Sequence, residues 1–239
     1  MKAFAIQLWV QLRMDLRDKG TLMVYYLVPL VFYVVMGSIM KAIAVETKTP
    51  LVLSITIFTL SMSAFLGMPQ NLVKAREQGI LEAYRAAGIP AWSLPLVTII
   101  LSTLHVTIVA TVILVTAPYL FGATQPEHLA LFYFSVLLIA LCSEGLGSLL
   151  SCLVKKQNTM TLAAQCLFLP SIMFSGILFP AELLPKPMLW LGLALPATQG
   201  ARLLDGGTLA ASPLAILCGL TIASFAAAVV LFKRISIRK

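Results

Sequence analysis

Six long apolar runs separated by short polar connectors organise this chain: Leu22 to Met40, Leu51 to Val73, Trp92 to Leu120, Leu129 to Val154, Thr159 to Phe179 and Pro213 to Phe232. Each holds about the 20 apolar residues that a helix needs to cross roughly 30 Å of hydrocarbon. Backbone N–H and C=O groups find no water there, so each run predicts a helix that closes its hydrogen bonds internally, not an open strand. The expected fold class is an all-α membrane protein with six transmembrane helices.

The polar connectors predict three further helical elements. Ahead of the first run, Phe4, Leu8, Leu12 and Leu16 recur every four residues, with Arg13, Arg17 and Lys19 among the polar positions. This predicts an N-terminal interfacial helix over residues 1–20, with its apolar stripe in lipid and its cations at acidic headgroups. Residues 74–90, KAREQGILEAYRAAGIP, are rich in helix formers; Glu82 stands three residues before Arg85, and Gly88 and Pro90 supply a stop. A short cytoplasmic helix offering Ile80, Leu81 and Tyr84 outward is expected. Residues 180–212 are apolar but broken by Pro180, Pro185, Pro187 and Pro196, and the uninterrupted piece Met188 to Leu195 is too short to cross a bilayer. Broken backbone at membrane depth is tolerated where protein covers it, so a pair of short re-entrant helices is predicted.

Small residues four apart mark close helix contacts in a membrane, where apolar burial alone does not drive association. Thr59, Ser63 and Gly67 form one such stripe, Ser143, Gly147 and Ser151 a second, and Gly219, Ala223 and Ala227 a third.

Composition narrows the class. A 60% hydrophobic and 11% charged chain lies far from the roughly one-quarter charged make-up of soluble domains, and runs and connectors consume nearly all 239 residues. The net charge of +8 follows topology and not nucleic-acid binding. With the N-terminus placed in the cytoplasm, the inner side holds Lys2, Arg13, Arg17, Lys19, Lys74, Arg76, Arg85, Lys155, Lys156, Lys233, Arg234, Arg238 and Lys239. The outer side keeps only Lys41, Lys48, Lys186 and Arg202 of the 17 basic residues, so both termini are expected in the cytoplasm. The first run is too long for a signal-peptide core and precedes no small-residue cleavage pattern; it is expected to stay as a span. Cys142, Cys152, Cys166 and Cys218 all fall within runs, in no metal-binding spacing, and read as packing residues.

One acid stands inside a run. Glu144 would cost on the order of 3 kcal/mol as a charge at the bilayer centre, which points either to a substrate or proton role or to a neutral donor bonded to Ser148 or a carbonyl. No catalytic or metal constellation accompanies it. His105 and His128 stand alone, and GxSxG, HExxH and GxxxxGK[ST] patterns are missing. Any ATP must be held by another chain.

Taken in order, these features resemble the permease subunit of an ABC-2 type ABC transporter over nearly the full length. The resemblance rests on the amphipathic N-terminus and on Arg76, Glu77, Gly79, Ile80, Leu81 and Glu82, with Arg85 and Pro90 following. It rests equally on three motifs around the fifth and sixth runs: SGILFP with Ser175, Gly176, Phe179 and Pro180; LLPKP with Leu184 and Pro185; and LALPATQGARLL with Pro196. It implies one transmembrane domain over residues 1–239, with an interfacial helix (1–20), a coupling helix that docks on an ATPase (74–90) and an extracellular re-entrant gate (180–212). It also implies separate ATPase subunits holding ATP and Mg, a second permease of identical or paralogous sequence, a dimer interface from the second and fifth runs, and export by alternating access across the bacterial cytoplasmic membrane. The chain itself is expected to be no enzyme and to need no cofactor. Two other classes stay open. A six-span secondary transporter would use Glu144 as its proton site, although no repeat relates the halves; a membrane hydrolase would pair His105 with Ser102 or Ser143.

Overall fold

A computed structural model describes residues 2–43, 51–177, 184–205 and 211–237. Among the described residues the regular structure is helical, without strands. The helices are α1 (Lys2–Asp15), α2 (Lys19–Ala42), α3 (Leu51–Glu77), α4 (Ile80–Ala86), α5 (Ser93–Phe121), α6 (Leu129–Leu153), α7 (Gln157–Met173), α8 (Lys186–Leu193), α9 (Pro196–Asp205) and α10 (Ala211–Ile237).

Five of these are long and apolar enough to cross a membrane: α2, α3, α5, α6 and residues Ala211–Phe232 of α10. The fifth run gives a shorter helix. α7 has 17 residues, about 26 Å at 1.5 Å per residue, against roughly 30 Å of hydrocarbon. It ends because the chain turns at Ser175 and Gly176, the latter with φ of 82°, a left-handed conformation that glycine adopts without steric cost. The expected gate residues Phe179 and Pro180 lie outside the described residues.

The bundle is assembled around α3. Its apolar stretch is 94% buried, against 22% for α2 and 17% for α10. A helix that is apolar all round finds its place in the centre of a bundle. Every residue from Leu51 to Met62 is buried, and Thr56 and Thr59 satisfy their hydroxyls on the carbonyls of Val52 and Ile55. The neighbouring α2 presents a stripe to it, with Tyr25 and Tyr33 fully covered, Phe32 stacked on Phe58 at 3.8 Å between ring centroids and Tyr33 bonded to Thr116 of α5 at 2.9 Å. Its other face carries Leu27, Val31, Val34 and Val35 outward. The burial of α3 corrects one expectation. No face of the second run is left to build a dimer interface.

Two of the three small-residue stripes make the contacts foreseen for them. Gly67 lies under the Tyr25 ring, and Gly147 lies against the Ala64 carbonyl and Pro69, where a Cβ would overlap. In α10 the expected Gly219, Ala223 and Ala227 do not form the contact; Gly219 faces open space, and Leu217, Ser224 and Ala228 are buried instead. Small residues permit an approach without demanding one, and α10 rotates to bring Ser224 against Gly145 of α6.

α1 also turns the face that the sequence did not single out. Phe4, Leu8 and Leu12 are half-buried toward the bundle, and Ile6, Trp9, Val10 and Met14 are the exposed apolar side chains. The polar residues set this rotation. Gln7 donates to Tyr84 and Ser93, and Gln11 to the buried Asp15; such groups lose stability unless they are paired inside.

Candidate functional site

The segment expected to engage an ATPase is a seven-residue helix, α4, bracketed by Gly79 (φ 73°) and Gly88 (φ 69°). These left-handed turns reverse the chain on both sides, which makes α4 a short crosspiece between α3 and α5. Its orientation corrects the sequence reading. Leu81 is 3% exposed and packs with Met68, Leu72 and Leu94, while Ile80 and Tyr84 lean on the same cluster. The outward surface consists instead of Gln78, Glu82, Ala83 and Ala86, continuing to Ile89 and Pro90. Burying Leu81 anchors the crosspiece, and the Gln7 bond to Tyr84, 3.3 Å, ties it to α1.

Arg76 and Glu77, expected beside them as partner contacts, bond to neighbouring helix ends, Arg76 half-buried and Glu77 at the exposed surface. The Arg76 guanidinium donates to the carbonyls of Ser151 and Val154 at the end of α6. Glu77 accepts from the backbone N–H of Gln157 at the start of α7, 3.3 Å away. One turn earlier Lys74 pairs with Asp18 at 3.4 Å. Partial burial pushes the Asp18 carboxyl upward, but the hydrogen bond from Thr21 and the Lys74 charge outweigh it and hold the group below its ordinary value.

At the opposite end of the bundle, Ser175 donates to the Ile172 carbonyl and accepts from the Ile177 N–H, so with Gly176 it terminates α7. Leu184 and Pro185 lead into α8, which Pro185 caps, and Pro196 opens α9; proline suits a first turn whose N–H groups have no helical acceptor. The two helices differ in burial. α8 exposes Met188, Trp190 and Leu191, whereas Ala197, Thr198, Gln199 and Leu203 of α9 are covered. Gly200 meets Ile139, ten residues and so about 15 Å into α6. Gln199, which the sequence reading passed over, donates to the Leu193 carbonyl at 2.5 Å and holds the α8–α9 corner. A lone amide inside a proline-punctuated apolar segment was the signal for it.

Glu144 is buried in a network that joins three helices. Thr103 donates to its carboxylate at 3.0 Å, and the Ser102 hydroxyl lies beside the same group and 3.0 Å from Ser63 of α3. Next to it, His105 meets the Tyr26 hydroxyl at 2.6 Å, lies 3.8 Å from Asp15 and packs on the Tyr25 ring. The expected bond to Ser148 is not made; that hydroxyl turns to the Met68 sulfur of α3. The proposed nucleophile pairs do not assemble either. Ser102 bonds Ser63 instead of His105, and Ser143 has no hydrogen-bond partner among the described residues. Thr98, Ser102 and His105, spaced four and three apart, were the legible sign of this face. Since the network lies wholly within one bundle, Glu144→Gln should keep the melting temperature in detergent. Glu144→Leu removes the acceptor for half-buried Thr103 and should cost about 1 kcal/mol, a fall of about 2–4 °C per kcal/mol. A tolerated leucine together with a transport-dead glutamine would point to a chemical role.

Five helices long and apolar enough to cross a membrane, with the short α4 between α3 and α5 and the pair α8 and α9 after α7, are the architecture of a membrane protein. The sequence profile of the ABC-2 type transporter family matches residues 2–209, and the chain belongs to that family. A stretch of 115 residues, 48% of this chain, is 26% identical to the "Probable multidrug ABC transporter permease YbhR" of Escherichia coli K12, and equally to that of strain O157:H7. The stretch spans 31% of the length of those permeases.

Proposed function

We propose that this chain is the transmembrane permease subunit of an ATP-driven exporter and moves an amphipathic or apolar cargo across the bacterial cytoplasmic membrane. A separate ATPase, holding ATP and Mg, docks beneath α4. Nucleotide binds two states of that ATPase with different affinity, and this difference drives the permease between inward-open and outward-open forms. The observation that carries the reading is α4 itself: a crosspiece anchored through Leu81 and Tyr84, with Gln78, Glu82, Ala83 and Ala86 facing out. In this reading α7 adds the remaining crossing to the five, both termini face the cytoplasm, residues 1–20 lie at the inner interface and the segment around α8 and α9 gates the exit. The second permease, identical or paralogous, packs on the outward face of α7, where Leu162, Cys166, Leu169 and Met173 are exposed. The printed multidrug role of the relatives supports such a cargo. A proton-driven transporter is disfavoured, because Glu144 is covered by its own bundle.

Proteoliposomes containing the permease and its ATPase should accumulate a fluorescent amphipathic drug only with hydrolysable ATP. In intact cells, cysteines placed at Glu127 and Lys186 should react with an impermeant maleimide and cysteines at Gln78 and Gln157 should not. ATP-independent uptake by the permease alone, or external labelling at Gln78, would overturn the assignment.

A further inference from the structure

Helix ends are sites of charge. The last carbonyls of a helix lack partners and carry partial negative charge, and the first N–H groups carry partial positive charge. The corner between α6 and α7 supplies neither complement from its own residues. α6 has no basic residue in its last turn. α7 has no acid in its first turn, and its capping residue Lys156 makes no side-chain cap; with Lys155 it sets two cations at an already positive end. Both complements come from one place, the final turn of α3. Arg76 reaches the α6 carbonyls, 2.7 Å in the case of Val154, and the adjacent Glu77 reaches the α7 N-terminus. Just above, Val73 packs against Met160 and Ala164 of α7, all fully buried. Immediately beyond, Gln78 and Gly79 lead into α4.

We infer that Arg76 and Glu77 are positioning residues for transport: they clamp the α6–α7 corner to the last turn of α3, so that a displacement of α4 is delivered to α7. The inference rests on the coupling role proposed above for α4. It assigns to these two residues a contact within the permease and not one with the ATPase. A charge-assisted pair on each helix end also makes the linkage direct, since no side chain intervenes between α3 and either neighbour's backbone.

A cysteine placed at Asn158, exposed in the first turn of α7 and away from the face assigned to the second permease, provides the reporter in a permease–ATPase complex whose native cysteines are replaced. ATP with vanadate should change the maleimide labelling rate of this cysteine severalfold in this background. Glu77→Ala and Arg76→Lys should abolish that change while retaining ATPase binding and basal hydrolysis, and Glu77→Gln, which keeps an acceptor for the Gln157 N–H, should retain it. The deciding variant is Glu77→Ala with Lys156→Asp, which gives α7 its own N-terminal acid. Restored melting temperature with the nucleotide response still missing supports the clamp. Recovery of both makes Glu77 a mere helix cap, and loss of ATPase binding in Glu77→Ala makes it a partner contact; either result overturns the inference, as does a response that survives both single substitutions. ATP-dependent transport with a labelling rate at position 158 indifferent to nucleotide would sink the clamp alone. Transport without ATP would sink the coupling reading itself.

Discussion

Glu82→Lys combined with Ala83→Arg should weaken binding of the ATPase at least roughly thirtyfold while leaving the permease folded and inserted. Both positions lie on the outward surface of α4, where the new cations face a docking partner. Disrupting a buried charged contact at an interface costs about 2–5 kcal/mol, and about 1.4 kcal/mol is a factor of ten. Arginine and lysine are good helix formers, so α4 itself survives the change. Leu81→Asp gives the contrasting result. Its side chain is 3% exposed in the cluster with Met68, Leu72 and Leu94, and a carboxylate there should lower the thermal stability of the isolated permease before any partner is added. Co-purification and melting curves of the two variants separate the cases. Wild-type affinity in the double variant would remove α4 as the docking element.

Gly147→Val should cost about 3 kcal/mol or more and lower the melting temperature in detergent by roughly 6–12 °C. The obstacle is backbone: a Cβ at this position would overlap the Ala64 carbonyl of α3 and crowd Pro69, and neither can rotate away as a side-chain tip would. α3 is enclosed on all sides, so the displacement must spread through the bundle. Gly219→Val, in the third small-residue stripe, should be nearly neutral because nothing lies near that position. Equal loss from the two substitutions would mean that α6 and α3 do not approach as closely as described.

The pattern of apolar runs already stated that the chain is helical and lives in a membrane. Removal from water demands internally bonded backbone, a constraint that depends on segment length and composition, both of which are written in the sequence. Local devices were equally legible. The Gly88 and Pro90 stop and the prolines before α8 and α9 act within a few residues of themselves, and each appears where expected.

Rotation about each helix axis was decided elsewhere. In hydrocarbon, apolar side chains gain little by choosing protein over lipid, so hydrophobic periodicity does not tell inward from outward. Polar residues tell it instead, through partners distant in the chain. Gln7 turns α1 toward Ser93 and Tyr84, Ser224 brings α10 onto Gly145, and Thr103 draws Glu144 across to α5. The adjacent Arg76 and Glu77 read as surface charges beside a helix because their acceptor and donor, the backbone ends of α6 and α7, carry no side-chain signature at all. Lipid-length helices, turns and basic asymmetry are therefore properties of the sequence by itself. Which face meets which neighbour, and whether a charge serves a partner or a neighbouring helix end, was decided only by the tertiary structure, since hydrogen bonds at membrane depth are satisfied by whichever groups packing brings within reach.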